Sequence, residues 1–516
     1  MPVKTLIKKG LYFDSVSLMR IAQKLNSLPG ISDSAVIMAT KENKNIISSS
    51  GLLSEEIKKA SDNDLAVAVK ADSEKSAVQA LSEAEKLLSG KKENKEISGS
   101  LRACDISQAV SMSQGLNLAL ISVNGRYAAD IAKEALEKGL NTMIFSDNVP
   151  LEKEIELKKI GAKKNLLVMG PDCGTAIING APLGFANKVN SGSIGVVGPS
   201  GTGIQEFTCA VSNLGAGISQ AVGTGTRDVK DEVGALTTIE GLKMLSQDPR
   251  TRVIAIVSKP PQKKSLEKII SFVKKIKKPV VTVFLGSSQE YPSVKNIHTA
   301  KNLYEAALKA YILSKGENPH LVKERMYNEK IALAERIKKE KAKKREYSKY
   351  LRGLFSGGTF ASQALYLLQP VLGPIYSNIP LSPEFKLKNS MKLEKNSIID
   401  LGEDEFTFGR PHPMIDYSLR KKMIAAQALN KDVSVILLDI VLGYGSNMNP
   451  LAELSDTLKE AFKANPSLSI IAAVTGTDMD PQNKKELMKA LEDTGVMALE
   501  NNYAAAFAAG EILRKK

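Results

Sequence analysis

Tryptophan is absent from this sequence, and aromatic residues make up only 5% of its 516 positions. Proteins that read nucleic acids usually combine aromatic stacking platforms with arginine. The formal net charge is +15, but much of the excess lies in residues 321–350, which hold eight lysines, three arginines and five glutamates. We therefore expect no nucleic-acid partner, because a solvated basic surface that favours anionic small molecules accounts for the charge.

Cysteine is almost as scarce, with only Cys104, Cys173 and Cys209 and no CxxC pair. This count excludes a disulfide framework, offers no zinc or other metal motif, and favours a reducing cytoplasm. Long apolar runs are missing too, since none approaches the ~20 residues of a membrane span. The sequence thus predicts a cytoplasmic protein with no membrane partner and no metal site.

Alternating strand and helix patterns fill most of the chain, which is typical of parallel α/β sheets with function at the carboxyl ends of their strands. A length of 516 residues predicts several domains. The patterns divide the chain into α/β segments at 1–98, 100–190, 191–318 and 351–516, with a charged helical linker at 319–350. We expect that linker to be exposed, because it has few apolar positions.

Two glycine-rich turns end apolar strand patterns, and the second runs directly into a helix pattern at 204–213. The first N–H groups of a helix have no internal partner, and the helix dipole favours negative charge there. Glycines let a phosphate approach the backbone, and Ser200 and Thr202 add hydroxyl donors. The turns therefore predict an anion site. One turn supplies Gly170, Pro171, Asp172 and Cys173, and the turn that leads into the helix supplies Ser200, Gly201, Thr202 and Gly203.

The C-terminal segment carries similar turns at 356–359, 442–446 and 475–478. Their glycines Gly357, Gly358, Gly443 and Gly445 are candidates for a second anion site. Segments 191–318 and 351–516 therefore look like a loose internal repeat of one architecture.

At these turns the chain resembles the NDP-forming acyl-CoA synthetase superfamily, which includes succinyl-CoA synthetase, and within it most of all the FdrA group. Residues 170–173 match the turn that closes the CoA-binding domain of the alpha subunit, and residues 200–202 match its phosphate loop. The turn at 223–228, with Gly225, continues the match. The resemblance implies a Rossmann-like CoA-binding-type domain at 100–190 and flavodoxin-like domains at 191–318 (alpha-subunit type) and 351–516 (beta-subunit type). Residues 1–98 have no counterpart in the synthetase.

The sequence departs from the family pattern at three places. No glycine-rich CoA loop follows residue 100, so the resemblance leaves CoA open as a cofactor. No glycine-flanked histidine follows Gly286, where only His298 occurs. Lys259 stands where a carboxylate normally supports the phosphohistidine, and a lysine there would oppose an imidazolium. We therefore expect no phosphohistidine on this chain.

The resemblance implies an enzyme subunit that handles an acyl or carbamoyl phosphate, with other subunits supplying any nucleotide chemistry because no nucleotide-grasp domain is evident. Lys259 could hold the anion as a point charge. A subunit of an oxamate carbamoyltransferase in purine or allantoin catabolism is one alternative. A non-catalytic assembly subunit is the other.

The sequence allows two roles, one functional and one structural, for each of several residues. Lys259, Arg227 and Asp228 are the candidate catalytic residues, although Asp228 and Asp231 could instead cap the next helix. Cys173 could be a nucleophile near a phosphate, although buried packing is more common for such a cysteine. Asp439 lies in an apolar strand pattern and is either at its end or paired.

The segment around residue 410 is the last candidate. Arg410 and His412 lie in a proline-rich turn and could contact an anionic ligand, or the turn could be structural. His298 could replace the missing phospho-acceptor, although a surface or capping histidine is the more common case.

Overall fold

The computed structural model describes residues 2–11, 13, 15–40, 43–44, 47–48, 51–90, 103, 105–287, 289–291, 294–346, 348–407 and 410–514. The chain forms two compact units. The first comprises residues 1–114, 122–124 and 403–416, and the second comprises residues 115–121, 125–402 and 417–516. Cys104 and the predicted boundary at 98–100 lie outside the described residues.

The first unit contains an antiparallel sheet with the strand order β1-β3-β2. Its buried strand residues alternate between two clusters, so both faces of the sheet carry a small core. The elements are β1 (Val3–Lys8), α1 (Ser15–Asn26), β2 (Ile31–Met38), α2 (Glu55–Lys59), β3 (Leu65–Ala71), α3 (Glu74–Gly90) and α4 (Ile106–Met112), with a further short helix at Asp404–Thr407.

The second unit begins with a three-stranded parallel sheet of order β4-β5-β6. Its first helix packs small residues inward, because an alanine-rich face lets helix and strand approach closely. The elements are β4 (Leu118–Ile121), α5 (Gly125–Glu137), β5 (Asn141–Ile144), α6 (Leu151–Lys164) and β6 (Val168–Met169).

A seven-stranded sheet of order β13-β12-β11-β9-β10-β7-β8 follows. Five of its strands are parallel, and in chain order they run 2-1-3-4-5, the flavodoxin-like arrangement. The elements are β7 (Thr175–Ile178), β8 (Ala181–Gly184), β9 (Ser191–Gly198), α7 (Gly201–Asn213), β10 (Ile218–Gly223), α8 (Leu236–Gln247), β11 (Val253–Ser258), α9 (Lys263–Val273), β12 (Val280–Phe284), β13 (Ile297–Ala300) and α10 (Leu303–Ser314). We call this the seven-stranded domain.

The charged linker forms one helix, α11 (Leu321–Ala342), that is less exposed than its composition predicts. Val322, Leu333 and Ile337 are buried along one side. Glu340 accepts a hydrogen bond from Ser469 at 2.5 Å. Long charged side chains cover apolar surface with their stems, and this is why a lysine- and glutamate-rich sequence still packs.

The last sheet has six parallel strands in the order β15-β16-β14-β17-β18-β19. Apart from the two-residue edge strand β15, this order is again 2-1-3-4-5 in chain order. The elements are β14 (Tyr350–Phe355), α12 (Gly358–Leu372), β15 (Tyr376–Ser377), β16 (Ser397–Asp400), α13 (Ser418–Leu429), β17 (Val433–Val441), α14 (Pro450–Ala464), β18 (Ser469–Thr475), α15 (Lys484–Asp493), β19 (Met497–Leu499) and α16 (Asn502–Leu513). We call this the six-stranded domain.

The predicted fold class is confirmed: the chain is a multidomain α/β protein with two flavodoxin-like sheets and a small N-terminal α/β domain. All six residues of β11 and all nine of β17 are buried, as expected for parallel strands covered by helices on both faces. Strands β7 and β8 join the seven-stranded sheet although they precede the predicted boundary at residue 190. No helix among the described residues has the length and apolar character needed to cross a membrane.

Candidate functional site

The two sheet domains present equivalent turns at equivalent positions. Residues 198–203, the first turn, connect β9 to α7, and residues 356–359, the second turn, connect β14 to α12. In each domain this is the turn after the first strand of the 2-1-3-4-5 order, at the point where the strand order reverses. Ligands of open α/β sheets bind at such points, outside the carboxyl ends of the strands.

The two turns touch each other. Ser200 Oγ lies 2.5 Å from Thr359 Oγ1, and both side chains are buried. A Cβ placed on Gly357 would lie 2.8 Å from Thr202 Cγ2, so only glycine allows this approach. The N-termini of α7 and α12 therefore meet, each from a different domain of the second unit.

Unsatisfied N–H groups gather at this contact. Ser200 Oγ accepts a hydrogen bond from Gly203 N at 3.0 Å, which caps α7. Within the described part of the chain, no acceptor bonds to the N–H groups of Gly201, Thr202, Gly358 or Thr359. Gly201, Thr202 and Gly358 are half-buried. Together they form a donor set that suits an anion.

A buried ion pair supports the second turn. Asp439, in the middle of β17, accepts hydrogen bonds from Ser356 N at 2.8 Å and from Ser356 Oγ at 2.7 Å. Arg420 of α13 bonds to the same carboxylate at 3.0 Å, and both charged side chains are fully buried. The charge in this apolar strand is therefore paired, one of the two interpretations that its sequence left open.

A second carboxylate lies against the same turn. A Cβ on Gly358 would lie 2.4 Å from Asp400 Oδ2, at the end of β16. Asp400 is 3% exposed, and its Oδ1 accepts a hydrogen bond from Gly402 N at 2.8 Å. The sequence pattern does not single out Asp400 or Arg420, because neither lies in a glycine-rich turn.

The predicted turn at 170–173 packs against the turn that contains Gly225. Thr226 Oγ1 donates to Asp172 Oδ2 at 3.0 Å, and a Cβ on Gly225 would lie 2.2 Å from Pro171 O. The left-handed φ of +81° at Gly225 makes glycine necessary there. Gly170, Pro171, Asp172, Cys173 and Gly225 are therefore brought together. Gly201 also approaches this region, since its Cβ would lie 3.2 Å from Thr175 Oγ1.

Cys173 packs inside this pair of turns. Its Sγ lies 3.4 Å from Gly223 O and 3.6 Å from Thr175 O. Burial raises the pKa of the Cys173 thiol to about 12. The thiol therefore stays protonated at neutral pH, which favours packing over a nucleophilic role.

Arg227 and Asp228 belong to a network of buried charges. Lys158 lies 2.9 Å from both Glu154 and Asp228, and all three side chains are fully buried. Asp228 also accepts hydrogen bonds from the backbone N–H groups of Thr237 and Thr238, and it thereby caps α8. Arg227 lies 2.7 Å from Glu154. These bonds correspond to the capping interpretation of Asp228, and its catalytic role stays a prediction.

The remaining candidates of the seven-stranded domain lie at different places on the sheet. Lys259 is exposed and directly follows β11, which pairs with β9 at the carboxyl edge. His298 lies inside edge strand β13, opposite Val281, where burial lowers the pKa of its imidazole. Asp231 accepts a hydrogen bond from Ser265 N at 2.9 Å, within the first turn of α9.

The other glycine candidates of the six-stranded domain pack against protein. A Cβ on Gly443 would lie 2.5 Å from Ala186 O, and one on Gly445 would lie 2.8 Å from Phe185. These glycines join the two sheet domains, and their part in a second anion site stays a prediction. Arg410 and His412 belong to the first unit, where His412 Nδ1 accepts a hydrogen bond from Met414 N at 3.2 Å.

Family models match three parts of the chain. A model described as CoA-ligase matches residues 354–512, one described as CoA binding domain matches residues 189–286, and one described as AllF, heavy metal-associated domain, matches residues 1–103. The CoA binding match covers strands β9 to β12 of the seven-stranded domain, and the assignment of residues 100–190 to a CoA-binding-type domain stays a prediction.

The metal association of the N-terminal family does not fit these residues. Residues 1–103 contain neither cysteine nor histidine. Over the residues that the structure describes, no group of three or more histidine, cysteine, aspartate or glutamate side chains could hold a metal ion. Heavy metals prefer thiolate and imidazole ligands, so this domain lacks the donor set for one.

Curated relatives agree with the domain matches. A protein described as the uncharacterized protein YahF of Escherichia coli K12 is 39% identical over all of this chain and 99% of its own length. The alpha subunit of ADP-forming succinate–CoA ligase from Aquifex aeolicus is 30% identical over 33% of this chain and 57% of its own.

A solved structure described as the dinucleotide-forming acetyl-coenzyme A synthetase 1 of Ca. Korarchaeum cryptofilum, in complex with phosphate and ADP, covers 81% of this chain and 86% of its own at 16% identity, with a TM-score of 0.35. The full-length match to YahF and the CoA-ligase and CoA binding matches lead to one conclusion. The chain belongs to the family of YahF, within the succinyl-CoA synthetase-like superfamily of NDP-forming acyl-CoA synthetases.

Proposed function

We propose that this chain is an enzyme subunit of the FdrA group that binds an acyl or carbamoyl phosphate where the first and second turns meet. The observation that carries the proposal is the contact between two helix N-termini with unsatisfied N–H groups. Two such ends add their partial positive charges at one point. A phosphate can accept hydrogen bonds from both domains there, beside the Ser200–Thr359 contact.

The charge distribution supports binding mainly at the first turn. Lys259 emerges at the carboxyl edge next to that turn, whereas Asp400 places a negative charge against the second. An anionic group therefore interacts most favourably with Gly201 and Thr202. The N–H groups of Gly358 and Thr359 then contact its outer oxygens.

The chemistry that fits this arrangement is transfer of an acyl or carbamoyl group to or from phosphate. When the anhydride bond breaks, negative charge develops on the departing phosphate. Fixed N–H donors and helix dipoles stabilise that charge without reorganisation. The proposed transfer needs no phosphohistidine, and His298 lies within strand β13. The proposed phosphate contacts at the two turns also do not involve CoA.

We propose that other subunits complete the reaction. The curated succinate–CoA ligase relative is itself named as an alpha subunit. This chain has one domain that resembles that subunit and a second that resembles a beta-subunit domain, but no predicted nucleotide-grasp domain. A carbamoyltransferase subunit that acts on oxamate remains the alternative with the same phosphate site.

The test is calorimetric titration of the full chain with inorganic phosphate and with carbamoyl phosphate. Gly201→Val places a branched side chain against Thr175 Oγ1 and over the proposed site, and we expect binding to be lost. Lys259→Ala removes one exposed cation, and we expect a loss of about threefold to tenfold, corresponding to ~0.7–1.4 kcal/mol. That loss should shrink at high salt.

The matched control is Lys277→Ala. Lys277 is an exposed lysine of the same domain, near the amino end of β12, and its removal should leave affinity unchanged. Wild-type affinity in Gly201→Val and Lys259→Ala would show that the first turn is only structural. That result would favour the assembly-subunit alternative.

A further inference from the structure

The helices that carry the two turns each bond to the opposite domain. Glu206 lies on α7, four residues after Thr202, and its Oε1 accepts a hydrogen bond from Asn502 N at 2.8 Å. Gln363 lies on α12, four residues after Thr359, and its Oε1 accepts one from Leu303 N at 2.8 Å. Each bond crosses from one sheet domain to the other.

The two backbone donors of these bonds occupy equivalent positions in their domains. Leu303 is the first residue of α10, and Asn502 is the first residue of α16. These are the last helices of the seven-stranded and six-stranded domains. The first N–H of a helix has no partner within the helix. Each turn-bearing helix therefore caps the last helix of the other domain, and the arrangement is reciprocal.

Both side chains are buried. Glu206 is 2% exposed and Gln363 is 1% exposed. Thr475 Oγ1, at the end of β18, also bonds to Glu206 Oε2 at 2.5 Å. Residues four apart on a helix lie on one face, so these bonds fix the face of α7 and of α12 that carries Thr202 and Thr359.

We propose that Glu206 and Gln363 are positioning residues for the shared anion site. They do not contact the anion, and they act by holding the first and second turns together. The inference rests on the proposed function, because the site that they position is the phosphate site proposed above. It adds that the site exists only while both reciprocal bonds hold the two domains in register.

The test compares phosphate affinity in three variants of the full chain. Glu206→Ala and Gln363→Ala each remove one acceptor, and we expect each to weaken binding of inorganic phosphate by tenfold or more. Glu206→Gln keeps an oxygen for Asn502 N, and we expect its affinity to stay within about threefold of wild type. Near-wild-type phosphate affinity in Glu206→Gln would show that the hydrogen bond to Asn502 N matters, rather than the charge of Glu206.

The control is Gln369→Ala, because Gln369 is on α12 and no described residue bonds to its side-chain oxygen. Should Glu206→Ala fail to fold, Gln363→Ala still decides, since it removes only one neutral hydrogen bond. Wild-type phosphate affinity in the folded alanine variants, or equal losses in Glu206→Gln and Glu206→Ala, would overturn the inference. Failure of the wild-type chain to bind phosphate would instead overturn the proposed function.

Discussion

The first and second turns occupy the same position in the same strand order, but their surroundings differ. In the first turn, Gly198 lies so close to β11 that a Cβ on it would be 1.9 Å from Val257 O. In the second turn, the equivalent support comes from the carboxylate of Asp439, which bonds to Ser356. One turn is held by backbone packing and the other by a buried charge.

Strand order therefore determines where a site lies in each domain, whereas the neighbouring side chains determine its charge. The first turn has the exposed Lys259 near it. The second turn has Asp400 against its first helical glycine. Two copies of one architecture thus have unequal charge environments, and we propose that the pair forms a polarised anion site.

The largest expected effect comes from breaking the charged support of the second turn. Asp439→Asn leaves the fully buried Arg420 without its ionic partner, and breaking such a pair typically costs about 3–5 kcal/mol. We expect a corresponding fall in the urea midpoint of unfolding of the six-stranded domain. Phosphate affinity should fall as well, because Ser356 is the first residue of the second turn.

The control for this variant is Asp432→Asn, at an exposed position just before β17. Its effect should stay within about 0.5 kcal/mol, as is usual for surface changes. Equal unfolding midpoints for wild type and Asp439→Asn would show that the ion pair does not support the turn.

A smaller effect should distinguish the two reciprocal caps. Burial raises the pKa of Glu206 above its ordinary value, whereas Gln363 does not titrate. Because the pKa of Glu206 is raised in the folded state, its contribution to the free energy of unfolding is greatest at low pH. That contribution is lost as pH rises through the raised pKa. Glu206→Gln should therefore raise the melting temperature at pH 8 by about 2 °C, equal to roughly 1 kcal/mol, and by less at pH 5.

The reverse substitution, at the equivalent position of α12, tests the same pH dependence. Gln363→Glu introduces a buried carboxylate at the equivalent place, so it should lower the melting temperature at pH 8 more than at pH 5. A pH-independent difference in either variant would mean that the buried carboxylate does not titrate in this interval.

The glycine-rich turns and the strand–helix alternation predicted the fold class and placed Ser200, Gly201, Thr202, Gly357 and Gly358 as site candidates. The structure brings these five together. The sequence could not predict that the two turns touch, because the contact depends on how two distant domains dock. Local patterns carry turn conformation and helix starts, but not partners 159 residues apart, such as Ser200 and Thr359.

The same reason explains the roles that sequence left open. Asp228 and Gly443 lie in turns that resemble ligand loops, yet the structure uses them for a helix cap and a domain contact. Glu206 and Gln363 gave no sequence signal, because a polar residue on a helix face looks the same whether it faces solvent or another helix end.

The most direct test of the shared site is a crystal structure of the chain with bound tungstate, a phosphate mimic that anomalous scattering locates without ambiguity. We expect one tungstate within hydrogen-bond distance of an N–H group of Gly201 or Thr202 and of an N–H group of Gly358 or Thr359. Tungstate bound to one turn alone, or only at a site away from both turns, would contradict the claim that the two domains form one anion site.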